Sequence, residues 1–164
     1  YDLILEQTFF CALPPTLRQK YIWKMHQLLS SNGVLAGLLF NRDFEVSPPF
    51  GGNRNEYDAL FNHAFVFNSF EIAVNSIPKR MNAELFFEFK KNNFSKVHLY
   101  LFEGITCIGC KSSVTQKYLE IEGVENVSMN SDFSEILIVS ASEIDLKVLQ
   151  DIISYETEYK ITKL

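Results

Sequence analysis

The chain has 164 residues, of which 47% are hydrophobic and 14% aromatic, and its net charge at pH 7 is −5. This length and composition allow one large or two small packed domains, and no apolar run approaches the roughly 18 residues that a transmembrane helix needs. Residues 1–95 carry nine basic and nine acidic side chains, whereas residues 96–164 carry six lysines and eleven acidic side chains. The acidic second half argues against nucleic acid as a partner and suits a basic protein surface.

The cysteine count indicates a reducing compartment. Cys11, Cys107 and Cys110 make an odd number, which gives no even disulfide framework. We therefore expect a cytoplasmic protein in which the close pair is metal-binding or redox-active. The chain opens inside a strand-like run, without Met and without a signal-peptide pattern, so we expect a fragment of a longer protein.

In residues 1–92, helices and strands alternate before two consecutive strands. The predicted strands are 1–6, 34–40, 65–74 and 83–89, residues 7–13 are predicted as an apolar loop, and the predicted helices begin at Pro14-Pro15 and span 55–62. The continuous apolar run 34–40 is typical of a strand buried in a parallel sheet. The order β-α-β-α-β-β predicts a parallel α/β sheet that ends in an antiparallel hairpin. No Gly-rich nucleotide fingerprint is present.

The ends of the first two strands are the predicted binding edge, because open α/β sheets bind ligands beyond the carboxyl ends of their strands. This rule selects Glu6, Gln7, Thr8 and Phe9 at the end of the first strand and residues 41–43 after the second. The neighbouring aromatic pair, Phe9 and Phe10, belongs either to the core or to a pocket wall.

Several strings in this half are similar to those of a known family. They are Asp2-Leu3-Ile4, Thr8-Phe9-Phe10-Cys11-Ala12-Leu13-Pro14-Pro15 and Ser76-Ile77-Pro78-Lys79-Arg80. Residues 1–92 thereby resemble the C-terminal half of the thiopurine and thiol/halide methyltransferase family. The resemblance implies a partial Rossmann-like sheet that contributes the last four strands of the order 3-2-1-4-5-7-6. It also implies S-adenosylmethionine as cofactor and a small thiol or related molecule as methyl acceptor. Because the family's glycine-rich cofactor loop and ribose-binding acid lie earlier in its sequence, we expect this fragment to be inactive.

The resemblance also implies site residues. Glu6, Gln7 and Thr8 are predicted to bind the cofactor, with Gln7 at a position that faces cofactor or acceptor. Pro48-Pro49-Phe50-Gly51-Gly52 resembles the segment that closes over the acceptor, so Gln7 and Phe50 are predicted to contact substrate. No catalytic residue is assigned, since methyl transfer to a soft thiolate needs in-line approach and exclusion of water more than an acid or base.

The second half has its own element order. After a linker at 93–96, the predicted strands are 97–102, 124–129, 135–140 and 159–164, and the predicted helices are 111–119 and 143–153. The order β-α-β-β-α-β over residues 97–164 predicts a ferredoxin-like α+β domain.

Between the first strand and first helix of this half lies Gly104-Ile105-Thr106-Cys107-Ile108-Gly109-Cys110. Thiolates are soft ligands for Cu(I) and similar ions, and a helix N-terminus stabilises thiolates. The loop resembles that of heavy-metal-associated domains in copper chaperones, metal-exporting ATPases and mercury-binding proteins. This resemblance implies that Cys107 and Cys110 bind Cu(I) or another soft heavy-metal ion. It also implies a protein partner with which the domain exchanges that ion. Ile105 replaces the family's usual Met, and Glu158 replaces its usual Gly.

Two sets of alternatives remain open from sequence alone. The cysteine pair is a metal site, a thioredoxin-type redox disulfide, or part of a domain that no longer binds metal. The intact protein is either a methyltransferase that carries a soft-metal-binding domain, or a non-enzymatic copper-type chaperone or docking protein with a residual methyltransferase scaffold.

Overall fold

The computed structural model describes all 164 residues, and the chain divides into two compact units, Tyr1–Asn92 and Asn93–Leu164. Each unit contains one four-stranded sheet, so the protein is a mixed α/β protein with two sheets. None of its helices combines the length and the apolar character that crossing a membrane requires.

The first unit alternates strands and helices and then ends in two strands. Its elements are β1 (Leu3–Gln7), α1 (Phe9–Ala12), α2 (Arg18–Leu28), β2 (Val34–Phe40), α3 (Arg54–Phe61), β3 (Phe65–Ile72) and β4 (Glu84–Lys91). The sheet order is β1-β2-β4-β3, with β1 parallel to β2, and with β4 antiparallel to both β2 and β3. The predicted antiparallel hairpin is therefore β3–β4, and β4 is inserted next to β2.

Both longer helices of this unit cover the same face of the sheet. Glu6, Gly37 and Phe87 are level with one another across β1, β2 and β4. Tyr21 of α2 contacts Glu6, and Phe61 of α3 packs against Phe87 with ring centroids 6.5 Å apart. The Glu6 backbone packs closely against Gly37. A Cβ atom on residue 37 would lie only 1.7 Å from the Glu6 carbonyl oxygen, so this position requires glycine.

Several predicted boundaries in this unit were wrong, and β3, for example, ends at Ile72 rather than at residue 74. Residues 7–13 are not a loop: β1 continues to Gln7 and α1 follows, because the Glu6 side chain satisfies backbone N–H groups at the start of α1. The last strand continues to Lys91 rather than ending at residue 89, since Lys90 and Lys91 pair with residues of β2 and β3.

The second unit has the element order β-α-β-β-α-β. Its elements are β5 (Lys96–Glu103), α4 (Ile108–Leu119), β6 (Val124–Met129), β7 (Glu135–Ser140), α5 (Leu146–Ile152) and β8 (Lys160–Lys163). The sheet order is β6-β7-β5-β8, and every neighbouring pair is antiparallel. Lys96, assigned to the linker from sequence, is the first residue of β5, so residues 92–95 connect the two sheets.

The core of the second unit lies between its sheet and its two helices. Val114 and Tyr118 of α4 and Leu149 of α5 are fully buried, and they belong to one apolar cluster with Ile136 and Ile138 of β7. The Tyr118 hydroxyl donates to the Leu149 backbone oxygen at 3.1 Å, which links the helices. A buried hydroxyl without such a partner would be destabilising.

Candidate functional sites

The first candidate site is the edge where β1 and β2 end. Gln7 is level with Leu38, and the Thr8 backbone N–H donates to the Leu38 carbonyl oxygen at 3.0 Å. Thr8 then reverses the chain with a left-handed φ of 58°. Gln7 is exposed and lines a surface pocket of about 340 Å³ together with Leu38 and Phe86. Of the three residues predicted to bind the cofactor, Gln7 is thus the one whose side chain faces solvent most openly.

Glu6 has a different environment from Gln7. Its Oε1 accepts backbone N–H groups from Phe9 at 2.5 Å and from Phe10 at 3.1 Å, and its Oε2 accepts the Tyr21 hydroxyl at 2.7 Å. The residue is 5% exposed. The Glu6 carboxylate therefore stabilises the start of α1 and anchors α2. Its predicted contact with a cofactor, like that of Gln7 and Thr8, stays a prediction.

The aromatic pair after Thr8 divides between the core and the surface. Phe10 is fully buried, with ring centroids 5.1 Å from Tyr21 and 5.2 Å from Phe61. Phe9 is 59% exposed. Phe10 is consequently a core residue, and Phe9 is available at the edge.

The predicted closing segment lies against α1. The Phe50 N–H donates to the Cys11 carbonyl oxygen at 2.7 Å, and Arg18 Nη2 donates to the Gly51 carbonyl oxygen at 2.7 Å. Gly51 adopts a φ of +67°, which other residues rarely tolerate. Phe50 is half-buried there, so the segment is held by backbone contacts to α1 and α2. The role of Phe50 toward an acceptor stays a prediction.

Cys11 is a structural cysteine. It is fully buried, its Sγ accepts the Phe40 N–H at 3.2 Å, and it lies 3.4 Å from the Tyr57 hydroxyl oxygen. Burial is the main cause that raises the pKa of the Cys11 thiol above its ordinary value. Because a buried neutral thiol is a poor nucleophile, Cys11 has no place in the chemistry of this edge.

Sequence reasoning missed Arg80 at this edge. Arg80 lies in a 3₁₀ turn, Pro78–Arg80, and its guanidinium covers the ring of Phe40, the last residue of β2, at 5.2 Å. Arg80 Nη1 also donates to Glu84 Oε1 at 3.1 Å. The turn belongs to one of the strings that carry the family resemblance, but its contact with a residue 40 positions earlier exists only in the fold.

The second candidate site is the loop between β5 and α4. Gly104 follows β5 with a φ of +97°, and Cys107 is the N-cap of α4, where its Sγ accepts the Cys110 N–H at 3.0 Å. Helix α4 therefore begins at Ile108, three residues before the predicted start. Cys107 and Cys110 are joined as a disulfide with a Cα–Cα distance of 5.2 Å. After reduction the same geometry presents two thiols from one helix turn.

The surroundings of this pair offer no further metal ligand. No group of three or more His, Cys, Asp or Glu side chains is placed to hold a metal ion. Cys107 is exposed, Cys110 packs partly against the apolar core, and Ile105 is buried within that core. A two-ligand site of this kind is open on its solvent side.

Comparison with known proteins identifies the first part of the chain. The sequence model of the thiopurine S-methyltransferase family matches residues 1–96. The chain belongs to this family. "Probable thiol methyltransferase 2" of Arabidopsis thaliana is 36% identical over 61 residues, which are 37% of this chain and 27% of that protein. "Thiocyanate methyltransferase 1" of the same plant is 30% identical over 95 residues, which are 57% of this chain and 42% of that protein. The chain thus spans less than half the length of either of these two plant relatives.

One solved structure is similar at a lower level. It is described as "Crosstalk between Cu(I) and Zn(II) homeostasis", and the similarity covers 42% of this chain and 99% of that one at 20% identity and a TM-score of 0.37. A likeness of that size carries no argument about what the present chain binds.

Proposed function

We propose that the intact protein is an S-adenosylmethionine-dependent methyltransferase that acts on the sulfur atom of a small thiol or related acceptor. The observation that carries this proposal is the family match over residues 1–96. The two plant relatives are named for thiol and thiocyanate methyl transfer, which favours a small sulfur nucleophile.

The sheet of the first unit supports this proposal. Its order β1-β2-β4-β3 is the order of the last four strands in a Rossmann-like methyltransferase sheet of order 3-2-1-4-5-7-6. In that arrangement the ends of β1 and β2 face the bound cofactor and acceptor. At the end of β1, the side chains that this chain offers in that position are Gln7, Thr8 and the exposed Phe9.

S-adenosylmethionine, when bound, supplies a methyl group activated by a sulfonium. The residues of this chain have positioning roles. Glu6 fixes the turn after β1 through three hydrogen bonds, so that Gln7 is held toward the pocket. Phe9 and Phe50 provide apolar surface that would exclude water from a thiolate, and a desolvated thiolate is the better nucleophile.

The test uses the intact protein with radiolabelled S-adenosylmethionine and a panel of small thiols. We expect methyl transfer in the intact protein, and a loss of roughly ten-fold or more in kcat/KM for Gln7→Ala. Gln27→Ala, an exposed glutamine on α2, is the matched control and should retain full activity. We expect no binding of S-adenosylmethionine to residues 1–164 alone by calorimetry. Absence of transfer with every thiol would contradict the proposal.

We further propose that the second unit is a ferredoxin-like, heavy-metal-associated domain whose Cys107 and Cys110 bind Cu(I) or another soft ion as cargo. The observation that favours this function is a pair of cysteines at the start of α4, one at the N-cap and one in the first turn, close enough to be bonded to each other. Two thiolates are a soft donor set that suits Cu(I), and an open site favours transfer to a metal-exchange protein partner. The disulfide must first be reduced.

The metal proposal is tested by Cu(I) titration of the reduced chain against Cys107→Ser. Serine preserves the N-cap of α4, so any loss of affinity reports the missing thiolate rather than an unfolded helix. Cys11→Ala is the control, because Cys11 is buried in the first unit. Equal stoichiometry and affinity for Cu(I) in Cys107→Ser and the unmodified chain would contradict metal binding by this pair. A protein that binds Cu(I) but transfers no methyl group would favour the non-enzymatic chaperone.

A further inference from the structure

Two arginines flank an aromatic pair where β2 ends. Phe40 is the last residue of β2, and its ring meets that of Phe44 edge-on with centroids 5.0 Å apart. The guanidinium of Arg80 covers Phe40 at 5.2 Å, and that of Arg42 covers Phe44 at 4.7 Å. Cation–π contacts of this kind fix the guanidinium plane against the ring and leave its N–H edge free.

The position of Arg80 is fixed by a second contact. Its Nη1 donates to Glu84 Oε1 at 3.1 Å, and the Glu84 side chain is only 3% exposed. Glu84 is level with Phe40 in the pairing of β2 with β4. The Arg80 side chain is nevertheless 41% exposed, and its Nε and Nη2 have no partner within the chain. A pre-positioned guanidinium whose Nε and Nη2 donors are both free suits a planar oxyanion, which can accept one hydrogen bond from each nitrogen.

Arg42 adds a second cation on the same aromatic pair. Its only side-chain hydrogen bond is from Nε to the Asp43 backbone oxygen at 3.4 Å, and the residue is exposed. The end of β1, in contrast, offers only the neutral Gln7 and Thr8 beside the internally bonded Glu6. The cationic side chains that could bind a negatively charged group at this edge are therefore those at the end of β2, Arg42 and Arg80.

A carboxylate suits these arginines better than the reacting thiolate does. The guanidinium fork matches two carboxylate oxygens. Hydrogen bonds to a thiolate would lower its reactivity, so the reacting sulfur belongs against apolar surface rather than against an arginine. The charge that Arg80 binds is thus separate from the sulfur that receives the methyl group.

We propose that Arg80 and Arg42 form a carboxylate-binding site that selects, as methyl acceptor, a small thiol with a remote carboxylate group. This inference rests on the proposed methyltransferase function and adds the substrate class. Glu84 and Phe40 act as positioning residues for Arg80, and Phe44 does so for Arg42.

The experiment measures binding of 3-(methylthio)propionate and its amide to the 164-residue chain by nuclear magnetic resonance titration. Neither probe has a free thiol, so neither can exchange with Cys107 or Cys110. We expect the acid to bind at least ten-fold more tightly than the amide. Arg80→Lys and Arg42→Gln should each weaken binding of the acid roughly ten-fold and leave the amide unchanged.

The variants are chosen so that folding is preserved. Arg80→Lys keeps a cation beside the buried Glu84, and Arg42 is exposed. Lys79→Gln removes an exposed charge from the same 3₁₀ turn and is the matched control, for which affinity should not change. Equal binding of acid and amide, no binding of either at millimolar concentration, or an equal loss in Lys79→Gln would each overturn the site.

The two proposals fail separately. Binding is measured without cofactor and without methyl transfer, so a selective carboxylate site in a protein that transfers no methyl group would contradict only the proposed activity. Transfer in the intact protein with equal use of 3-mercaptopropionate and its amide would contradict only the carboxylate site.

Discussion

At the scale of single residues, Glu6 shows that a carboxylate at a strand end can have a structural role, with both of its oxygens hydrogen-bonded within the protein. Its position after an apolar strand is what suggests a binding residue. In the structure its two oxygens accept three hydrogen bonds from α1 and α2. A sequence pattern places the residue at the edge correctly, but the partners of its oxygens depend on where Tyr21 lies after folding. The neighbouring Gln7 has no such partners and is the better candidate for a ligand contact.

This role of Glu6 predicts a stability effect. Glu6→Gln removes the charge from two backbone N–H···O bonds and one hydroxyl bond, and we expect it to lower the free energy of unfolding by about 1 to 3 kcal/mol. Trp23, the single tryptophan, lies in α2 and reports the transition in denaturant. Glu45→Gln, at an exposed position, is the matched control and should leave the midpoint unchanged. Equal midpoints for the two variants would show that the Glu6 charge is not needed for the fold.

The buried Tyr100 of β5 should make the protein less stable at alkaline pH. Burial, with a smaller effect of the Glu143 charge, raises the pKa of Tyr100 from 10 to about 12. Because the folded state holds this proton more tightly than the unfolded state, the contribution is complete below pH 10 and is lost as pH rises to 12. The loss is on the order of 2 kcal/mol. Tyr100→Phe should have a shallower decline in unfolding free energy over this range than the unmodified chain. The exposed Tyr1→Phe variant serves as control, and parallel declines in all three proteins would contradict the assignment.

At the scale of elements, the local sequence pattern was sufficient to predict the bounds of a strand where that strand is apolar and lies between turns. Strands β6 and β7 have the predicted bounds, and all six residues of β7 are buried. Helix α1 was not predicted, and the predicted start of α4 was wrong, because side chains decide both helix starts. The Glu6 carboxylate accepts hydrogen bonds from the first N–H groups of α1, and the Cys107 sulfur caps α4. The same limit explains why the cysteine motif was recognisable within one loop, whereas Arg80 was not, since Phe40 and Glu84 define its place.

The two glycines beside the cysteine pair, Gly104 before α4 and Gly109 within it, should respond differently to substitution by alanine. A Cβ on Gly104, whose φ is +97°, would lie 2.5 Å from the Glu158 carbonyl oxygen. Gly104→Ala should therefore destabilise the second unit by roughly 1 to 3 kcal/mol. A Cβ on Gly109 would meet nothing nearer than the Cys107 Sγ at 3.9 Å, so Gly109→Ala, within α4, should be neutral or stabilising by about 0.5 to 1 kcal/mol. Hydrogen exchange of the β7 amides measures both, and a destabilising Gly109→Ala or a neutral Gly104→Ala would contradict this geometry.

At the scale of the whole molecule, the acidic excess and the paired cysteines belong to the second unit, and the family match belongs to the first. Each unit has its own sheet, and the apolar cluster beneath α4 and α5 contains only residues of the second unit. A ligand that binds only the folded second unit should stabilise that cluster by mass action. Trp23 is in the first unit, which allows the two units to be observed separately.

We therefore expect Cu(I), added to the reduced chain at 100 times its dissociation constant, to stabilise the second unit by about 2.7 kcal/mol. Protection of the β7 amides from hydrogen exchange should rise accordingly, because β7 lies in the core that Cys110 contacts. The denaturation midpoint reported by Trp23 should not move. In Cys107→Ser the protection of β7 should no longer respond to Cu(I), although α4 keeps its cap. A shift of the Trp23 midpoint that persists in Cys107→Ser would place the metal in the first unit, and unchanged β7 protection in the unmodified chain would contradict metal binding by the pair.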